Sequence, residues 1–324
     1  MESALQSAQR CSISVVTPVY NGEASLAELC RRLREVLPRV AVHYEIILVN
    51  DGSRDRSWEL ISELSSHSAT VRGLNLMRNY GQHNALLCGI RAARGGLIVT
   101  MDDDLQHQPE EIPRLLARLD EGFDVVYATP ESERHGFWRA IASRITRLAL
   151  RSAVGAEVAK NVSAFRAFRT ELRDAFADYQ APFVSIDVLL TWATSRFAAV
   201  RVPFKPRQSG SSNYTFARLV RHALDMMTGF STAPLQLASL VGFGCTLFGV
   251  CVLIYVVGRY LIEGSIPGFP FLASIIAIFS GAQLFALGVI GEYLARMHFR
   301  TMNRPAYAIR STVEGENSKT QRSI

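Results

Sequence analysis

Three carboxylates stand side by side at Asp102, Asp103 and Asp104, in VTMDDDLQHQPEEI, directly after the apolar run Leu97–Met101. Neighbouring acids repel, so a chain that groups them needs either bulk water or a cation to relieve the repulsion. Most such acids are solvated, and a D-x-D spacing alone is a weak signal. Two carboxylates on one side can, however, hold a hard divalent ion together with phosphate oxygens, the common way of binding Mg2+ or Mn2+. If the triplet prolongs the strand before it, Asp102 and Asp104 face one side and Asp103 the other. Three further polar turns also follow apolar runs: TPVYNG ending at Gly22, NDGS at Asn50–Ser53 and RNYG at Arg78–Gly81. Neither G-x-S-x-G nor H-E-x-x-H occurs, which removes the usual serine-hydrolase and zinc-protease signatures.

The elements that must position these turns alternate. Ile13–Val16 reads as a strand, and Ser25–Leu37 carries Leu26, Leu29, Leu33, Val36 and Leu37 at helical spacing before Pro38 stops it. Tyr44–Val49 is a second strand, and Asp55 or Ser57 could cap a helix over Trp58–Ser65. A third strand, Val71–Leu76, leads to a helix ending near Ala92, and Leu97–Met101 is the fourth strand. Such alternation predicts a parallel sheet covered by helices. In these sheets ligands bind beyond the carboxyl ends of the strands, so Asn21, Asp51 and Asp102–Asp104 should converge on one crevice.

The chain of 324 residues carries a net charge of +6, with lysine only at Lys160, Lys205 and Lys319. Its arginines are dispersed rather than gathered in a patch, which argues against a nucleic-acid partner. The five cysteines show no CxxC spacing, so neither a disulfide framework nor a zinc site is expected. The first residues, MESALQSAQRCS, lack an apolar core, so no cleavable signal peptide is expected.

From Leu235 the character changes. No charge occurs in Ala233–Gly258 or in Gly264–Gly291, and each run exceeds the roughly 20 residues that span a bilayer. Arg218 and Arg221 precede the first span, and Arg296, Arg300, Arg304 and Arg310 follow the second, whereas the linker EGSIPGFP has no basic residue. The positive-inside rule then places the large domain and the tail in the cytoplasm. Phe216–Phe230 reads as an amphipathic helix at the membrane interface, and the polar stretch Ser311–Ile324 as disordered.

Taken in order, TPVYNGEASL, ILVNDGSRD, LMRNYGQHNALLCGI, MDDDLQHQPEEIP and PRQSGSSNYTF resemble the family 2 glycosyltransferases of GT-A fold, and within them the polyprenyl-phosphate type. The likeness runs from about Ile13 to Leu240, and the two-span tail is similar to that of bacterial membrane members. It implies an α/β fold: a Rossmann-like, mixed and mostly parallel GT-A sheet, then interfacial helices and a two-helix transmembrane hairpin. The implied division is a tail over 1–10, the GT-A domain over 11–212 and an interfacial helix over 213–232. Transmembrane helices over 233–262 and 271–295 then flank a periplasmic loop over 263–270, with a cytoplasmic tail over 296–324.

The resemblance also implies roles. Pro18, Tyr20 and Asn21 match a nucleotide-contacting loop, and Asp51 matches the acid that reads the base. Asp102 and Asp104 match the pair facing ribose and metal, with Gln106 completing the metal shell and Asp103 beside the nucleotide-sugar. His107 fills a slot in which Asp or His occurs. Arg139 and Ser143, in HGFWRAIASR, match groups that hold the lipid phosphate, and Arg207 matches an arginine facing the pyrophosphate. Tyr127–Pro130 replaces a turn that carries a further arginine in the family, for which Arg134 could substitute, and Asn213 stands where a lysine is usual.

The implied reaction is inverting transfer of a sugar, from a UDP-sugar first of all, to undecaprenyl phosphate. Its setting is the cytoplasmic face of a bacterial inner membrane, in cell-envelope polysaccharide or lipopolysaccharide modification. Mg2+ or Mn2+ is the expected cofactor, and the bilayer a partner; a homo-oligomer is compatible with the sequence. Asp102, Asp104, Arg139 and Arg207 would carry catalysis. The competing readings are a glycan-extending transferase of the same fold and a non-catalytic membrane scaffold. A Q-x-x-R-W motif is absent, which counts against the first; the intact acids and Arg207 count against the second.

Overall fold

The protein's structure, a computed structural model, describes residues 12–131, 161–181, 184–204, 233–263, 268–302 and 305–315. Strands β1 (Ser12–Val19), β2 (His43–Asn50), β3 (Val71–Leu76) and β4 (Leu97–Thr100) alternate with helices α1 (Leu26–Val36), α2 (Ser57–Ser66) and α3 (Gln82–Ala92). Helix α4 (Ile112–Asp120), β5 (Val125–Pro130), β6 (Arg166–Arg169), α5 (Ile186–Ala193) and β7 (Phe197–Val202) complete the first part. Two long helices follow, α6 (Ala233–Glu263) and α7 (Phe269–Thr301), and then β8 (Ile309–Glu314).

The strands form one sheet in the order β7-β5-β6-β4-β1-β2-β3-β8, in which β6 and β8 run antiparallel to their neighbours. Alternating residues feed two apolar layers, because successive strand side chains point to opposite faces. Ile13, Val15, Ile46, Leu48 and Val99 pack with Leu26, Leu29, Leu33, Ile61 and Leu115 of α1, α2 and α4. Val16, Ile47, Val49 and Ile98 pack with Leu86, Leu87 and Ile90 of α3 and Ile186 and Leu189 of α5. Each layer gathers many fully buried aliphatic side chains, at roughly 1.5–3 kcal/mol of transfer free energy apiece. The sheet therefore provides a rigid base for its loops.

The order β4-β1-β2-β3, all parallel, sets four carboxyl-terminal loops in a row. This is the convergence the alternation of elements predicts.

One expectation is overturned at the C-terminus. Ser311–Glu314, read as part of a disordered tail, belongs to β8, which pairs with β3 from Arg72↔Glu314 to Leu76↔Ile309. Its polar composition hides a strand because the pairing partner lies more than 200 residues away. The Arg72 guanidinium reaches Glu314 at 3.1 Å and Glu45 at 2.6 Å, which ties the strand's end to the sheet.

Helices α6 and α7 contain segments long and apolar enough to cross a membrane, Pro234–Ile262 with mean hydropathy 2.5 and Ile278–Ala295 with 1.4. Among the described residues, none buries the most apolar stretch of either segment, and Leu253, Ile254 and Leu284 are exposed. An apolar surface of this extent requires an apolar surrounding. The expected interfacial helix over 213–232 lies outside the described residues, as do Arg134, Arg139, Ser143, Arg207 and Asn213.

Candidate functional site

Each of the four loops is hydrogen-bonded to the next. After β1, Asn21 adopts φ 54°, a left-handed conformation that Asn tolerates better than most residues. Its N–H donates to Ser53 Oγ at 3.0 Å, and its Oδ1 accepts from Arg54 N at 2.9 Å. Gly22 N donates to Ser57 Oγ at 3.0 Å and Glu23 N to Asp55 Oδ2 at 3.2 Å. Asp55 also accepts from the Ser57 N–H at 3.1 Å, so both residues proposed as caps of α2 bind the β1 loop to it.

After β2, the buried Asp51 carboxylate accepts from Tyr80 N at 2.7 Å and Gly81 N at 2.9 Å. Burial raises its pKa despite these two donors. Gly52, at φ 66°, lies so close to the third loop that a Cβ would stand 2.6 Å from Arg78 C and Asn79 N. Asp51 thus anchors the loop after β3. From the start of α3, Gln82 Nε2 reaches across to Asp102 Oδ1 at 2.7 Å. The circuit of loops is closed.

The acidic triplet differs from its expected geometry. Strand β4 ends at Thr100, and Leu105 takes φ 60°, so Asp102–Asp104 form a turn and the alternation of a pleat does not apply. Asp103 turns inward: Tyr20 N–H donates to its carboxyl, and its enclosed Oδ2 has no hydrogen-bond partner among the described residues. A Cβ on Gly22 would lie 2.2 Å from that oxygen, so a larger residue there would have to push the Asp103 carboxylate aside for the β1 loop to close on the triplet. Burial, and then the charges of Asp102 and Asp104, push the Asp103 carboxyl up to about 7. Gln106 folds back on Asp104, through Nε2 at 2.6 Å and its backbone N–H at 3.1 Å. Beyond it, Arg32 of α1 grips Glu110 through Nε at 2.9 Å and fixes the exit of the turn.

Tyr20, Asn21, Asp51, Asp102, Asp103, Asp104 and Gln106 are therefore brought to one end of the sheet. Pro18 is buried within β1 opposite Val49 and supports the loop from beneath. His107 is buried between Phe165 and Phe204, with ring centroids at 5.4 and 4.9 Å. Burial drives its pKa down to about 4 against the pull of Asp104, with Arg166 adding to the fall. A neutral imidazole packed between two aromatic rings results.

Among the described residues, no three or more His, Cys, Asp or Glu side chains gather as a metal cage. Two carboxylates and an amide make an incomplete set of hard oxygen donors, which suits an ion that keeps waters and substrate phosphates. Burial is the main reason the Asp103 pKa rises, but Asp102 and Asp104 each add to it, so the three acids lie close enough to repel, and a divalent cation between Asp102 and Asp104 would relieve that repulsion. The donor set fits Mg2+ or Mn2+.

In the sequence, NVSAFRAFR resembles the family's S-G-F-R segment through Ser163, Phe165 and Arg166, and the structure shows what Arg166 binds. It is fully buried and joins Asp187, with Nε donating to Thr100 Oγ1 at 3.1 Å. Tyr127 OH donates to the same Asp187 oxygen at 3.0 Å, and Thr100 Oγ1 donates to Ala164 O at 2.8 Å. The network braces the residue from which the acidic turn departs. A polar cavity of about 650 Å³, lined by Arg94, Asp124, Arg169 and Arg196, opens at the opposite ends of the strands, away from the triplet.

Comparison with known proteins places this arrangement. Residues 14–176 match the family described as Glycosyl transferase family 2. The undecaprenyl-phosphate 4-deoxy-4-formamido-L-arabinose transferase of Shewanella sediminis is 36% identical over 96% of this chain and 95% of its own. The protein of the same name from Pseudomonas paraeruginosa is 37% identical over 94% of this chain and 91% of its own. Among solved structures, glucosyl-3-phosphoglycerate synthase from Mycobacterium tuberculosis, crystallised with Mn2+, UDP and glucosyl-3-phosphoglycerate, superposes with a TM-score of 0.50. It is 20% identical and aligns over 70% of this chain and 82% of its own, which is a likeness of fold. With a family match over half its length and relatives similar from end to end, the chain belongs to glycosyl transferase family 2, and its sheet is of the GT-A type.

Proposed function

We propose that this glycosyltransferase moves a sugar from a nucleotide-sugar, a UDP-sugar first of all, onto undecaprenyl phosphate with inversion at the anomeric carbon. The observation that carries the reading is the closed circuit of four loops around Asp102–Asp104, in a chain similar throughout to transferases named for that acceptor. The sugar that those relatives are named for, 4-deoxy-4-formamido-L-arabinose, is the leading candidate.

Transfer breaks the bond between the anomeric carbon and the diphosphate, so negative charge grows on the leaving group. Asp102 and Asp104, with Gln106, would hold a divalent ion there; when bound, it would stabilise that charge. Asn21 and Asp51 order the loops that receive the nucleotide, with Tyr20 exposed at their rim. The resemblance assigns Arg207 to the pyrophosphate, and Arg139 and Ser143 to the acceptor phosphate; all three lie outside the described residues.

The attacking phosphate oxygen is already anionic at neutral pH, so no strong general base is required. Asp187 fits that view, because its carboxylate is taken up by Arg166 and Tyr127 beneath the site. Helices α6 and α7 supply the reason for an apolar acceptor: they would anchor the site at the cytoplasmic face of the bacterial inner membrane. Incubating the full-length protein with undecaprenyl phosphate and a panel of nucleotide-sugars, with and without Mn2+ or Mg2+, tests the reading. A metal-dependent glycolipid from at least one donor is expected; full transfer in EDTA, or transfer only to soluble acceptors, contradicts it.

A further inference from the structure

Three successive residues in the first turn of α3 reach three different parts of the molecule, as side chains spaced about 100° apart around a helix can. Gln82 donates to Asp102 in the acidic turn at 2.7 Å. His83 Nδ1 accepts from Ile186 N at the start of α5, at 3.3 Å. Asn84, only 6% exposed, donates from Nδ2 to Ala306 O at 2.8 Å. Immediately before them, Tyr80 and Gly81 are held by Asp51.

Ala306 belongs to the short link between α7 and β8. Eight residue steps separate Thr301, where α7 ends, from Ile309, where β8 begins, a reach of at most about 28 Å. The link grips α3 at both ends. Tyr307 lies 5.9 Å under the Arg91 guanidinium in the last turn, while Ala306 accepts from Asn84 in the first. Ala308 O then accepts from Met77 N at 2.9 Å, where β3 runs into the third loop. A buried amide that donates to a backbone carbonyl is costly to leave unmatched, so this bond resists sliding of the tail along α3.

We propose that Asn84 is a positioning residue: through it, the segment returning from α7 holds the first turn of α3 in place, and so sets Gln82 against Asp102. The apolar helices then do more than anchor the protein, because the seating of their cytoplasmic tail tunes the metal-binding turn. The inference rests on the reading of Asp102 and Asp104 as metal ligands. Asn84 itself touches no substrate.

The test uses the full-length protein in detergent micelles with UDP. Mn2+ binding is followed by loss of the free-ion electron paramagnetic resonance signal, and tail seating by hydrogen exchange at 308–314. Asn84→Leu keeps the branching of the side chain and removes the donor. It should raise the Mn2+ half-saturation about three- to tenfold and speed tail exchange by a similar factor, the size of one lost buried hydrogen bond. Asn84→Ser, which retains a donor, should recover part of both. If Asn84→Leu fails to fold, Glu314→Gln loosens β8 from its far end and should move both readouts the same way. Faster tail exchange with unchanged Mn2+ binding would show tail and site to be uncoupled and overturn the proposal, as would no change in either. Failure of the parent reading looks different: the unaltered protein would then bind no Mn2+ at all.

Discussion

At the amino ends of β2, β3 and β4, acids meet bases: Arg72 pairs with Glu45 at 2.6 Å and with Glu314 at 3.1 Å, and Arg94 pairs with Glu314 at 3.0 Å. At the carboxyl ends of β4 and β1, acids meet acids. Asp102–Asp104 crowd one another, neutral amides of Gln82 and Gln106 hold two of them, and the Asp103 carboxyl rises to about 7. The first arrangement pairs opposite charges and fastens β8 to the sheet edge. The second keeps a demand for positive charge that a metal and its substrate can meet. Charge that a fold uses on itself is thus distinguishable from charge it presents to another molecule.

Changes at the acidic end should affect turnover far more than folding. Asp104→Ala, or Asp102→Ala, is expected to lower kcat about 10³-fold, the scale of removing electrostatic stabilisation from a leaving group, with little change in melting temperature. Transfer assays at saturating donor, beside thermal unfolding, check both halves of that statement.

The buried brace below should behave in the opposite sense. Asp187→Asn leaves Arg166 charged without its partner, so unfolding free energy should drop by about 3–5 kcal/mol in denaturant titration. Replacing both, as Arg166→Met with Asp187→Leu, should restore much of it. If activity instead fell alone, with stability intact, Asp187 would belong to the chemistry.

A smaller effect is expected where the two loops touch. Gly22→Ala brings a Cβ to 2.2 Å from Asp103 Oδ2, and such overpacking costs about 1–3 kcal/mol. The strain falls on the loop that closes over the triplet, so the Mn2+ half-saturation should rise more than the melting temperature falls. The smallest effect belongs to Arg31 on α1, whose pairs with Glu28 and Glu35 are exposed. Arg31→Ala should leave melting and transfer at their unaltered values.

Much of the sheet was legible in local pattern. The run Val71–Leu76 is β3 as read, and Ile13–Val16 and Tyr44–Val49 mark the cores of β1 and β2. Apolar periodicity and turn residues carry that information locally. What escaped depends on distant partners. IRSTVE looks solvated until β3 pairs with it, and nothing near Asp103 shows that Gly22 will press against it. The expected pleat at Asp102–Asp104 failed because β4 stops at Thr100, a boundary set by the turn rather than by strand propensity. Arg166 and Gln82 stood within quoted motifs, but their partners, Asp187 and Asp102, appear only once the fold brings them near.

The central claim is that neighbouring aspartates at the end of β4 hold a divalent ion against a nucleoside diphosphate. Calorimetric titration of the full-length protein with UDP, in Mn2+ and in EDTA, addresses it most directly. UDP should bind at least tenfold more tightly with Mn2+ present, and Asp104→Ala should erase that gain. Equal affinity in EDTA and Mn2+, unchanged by Asp104→Ala, would contradict the account.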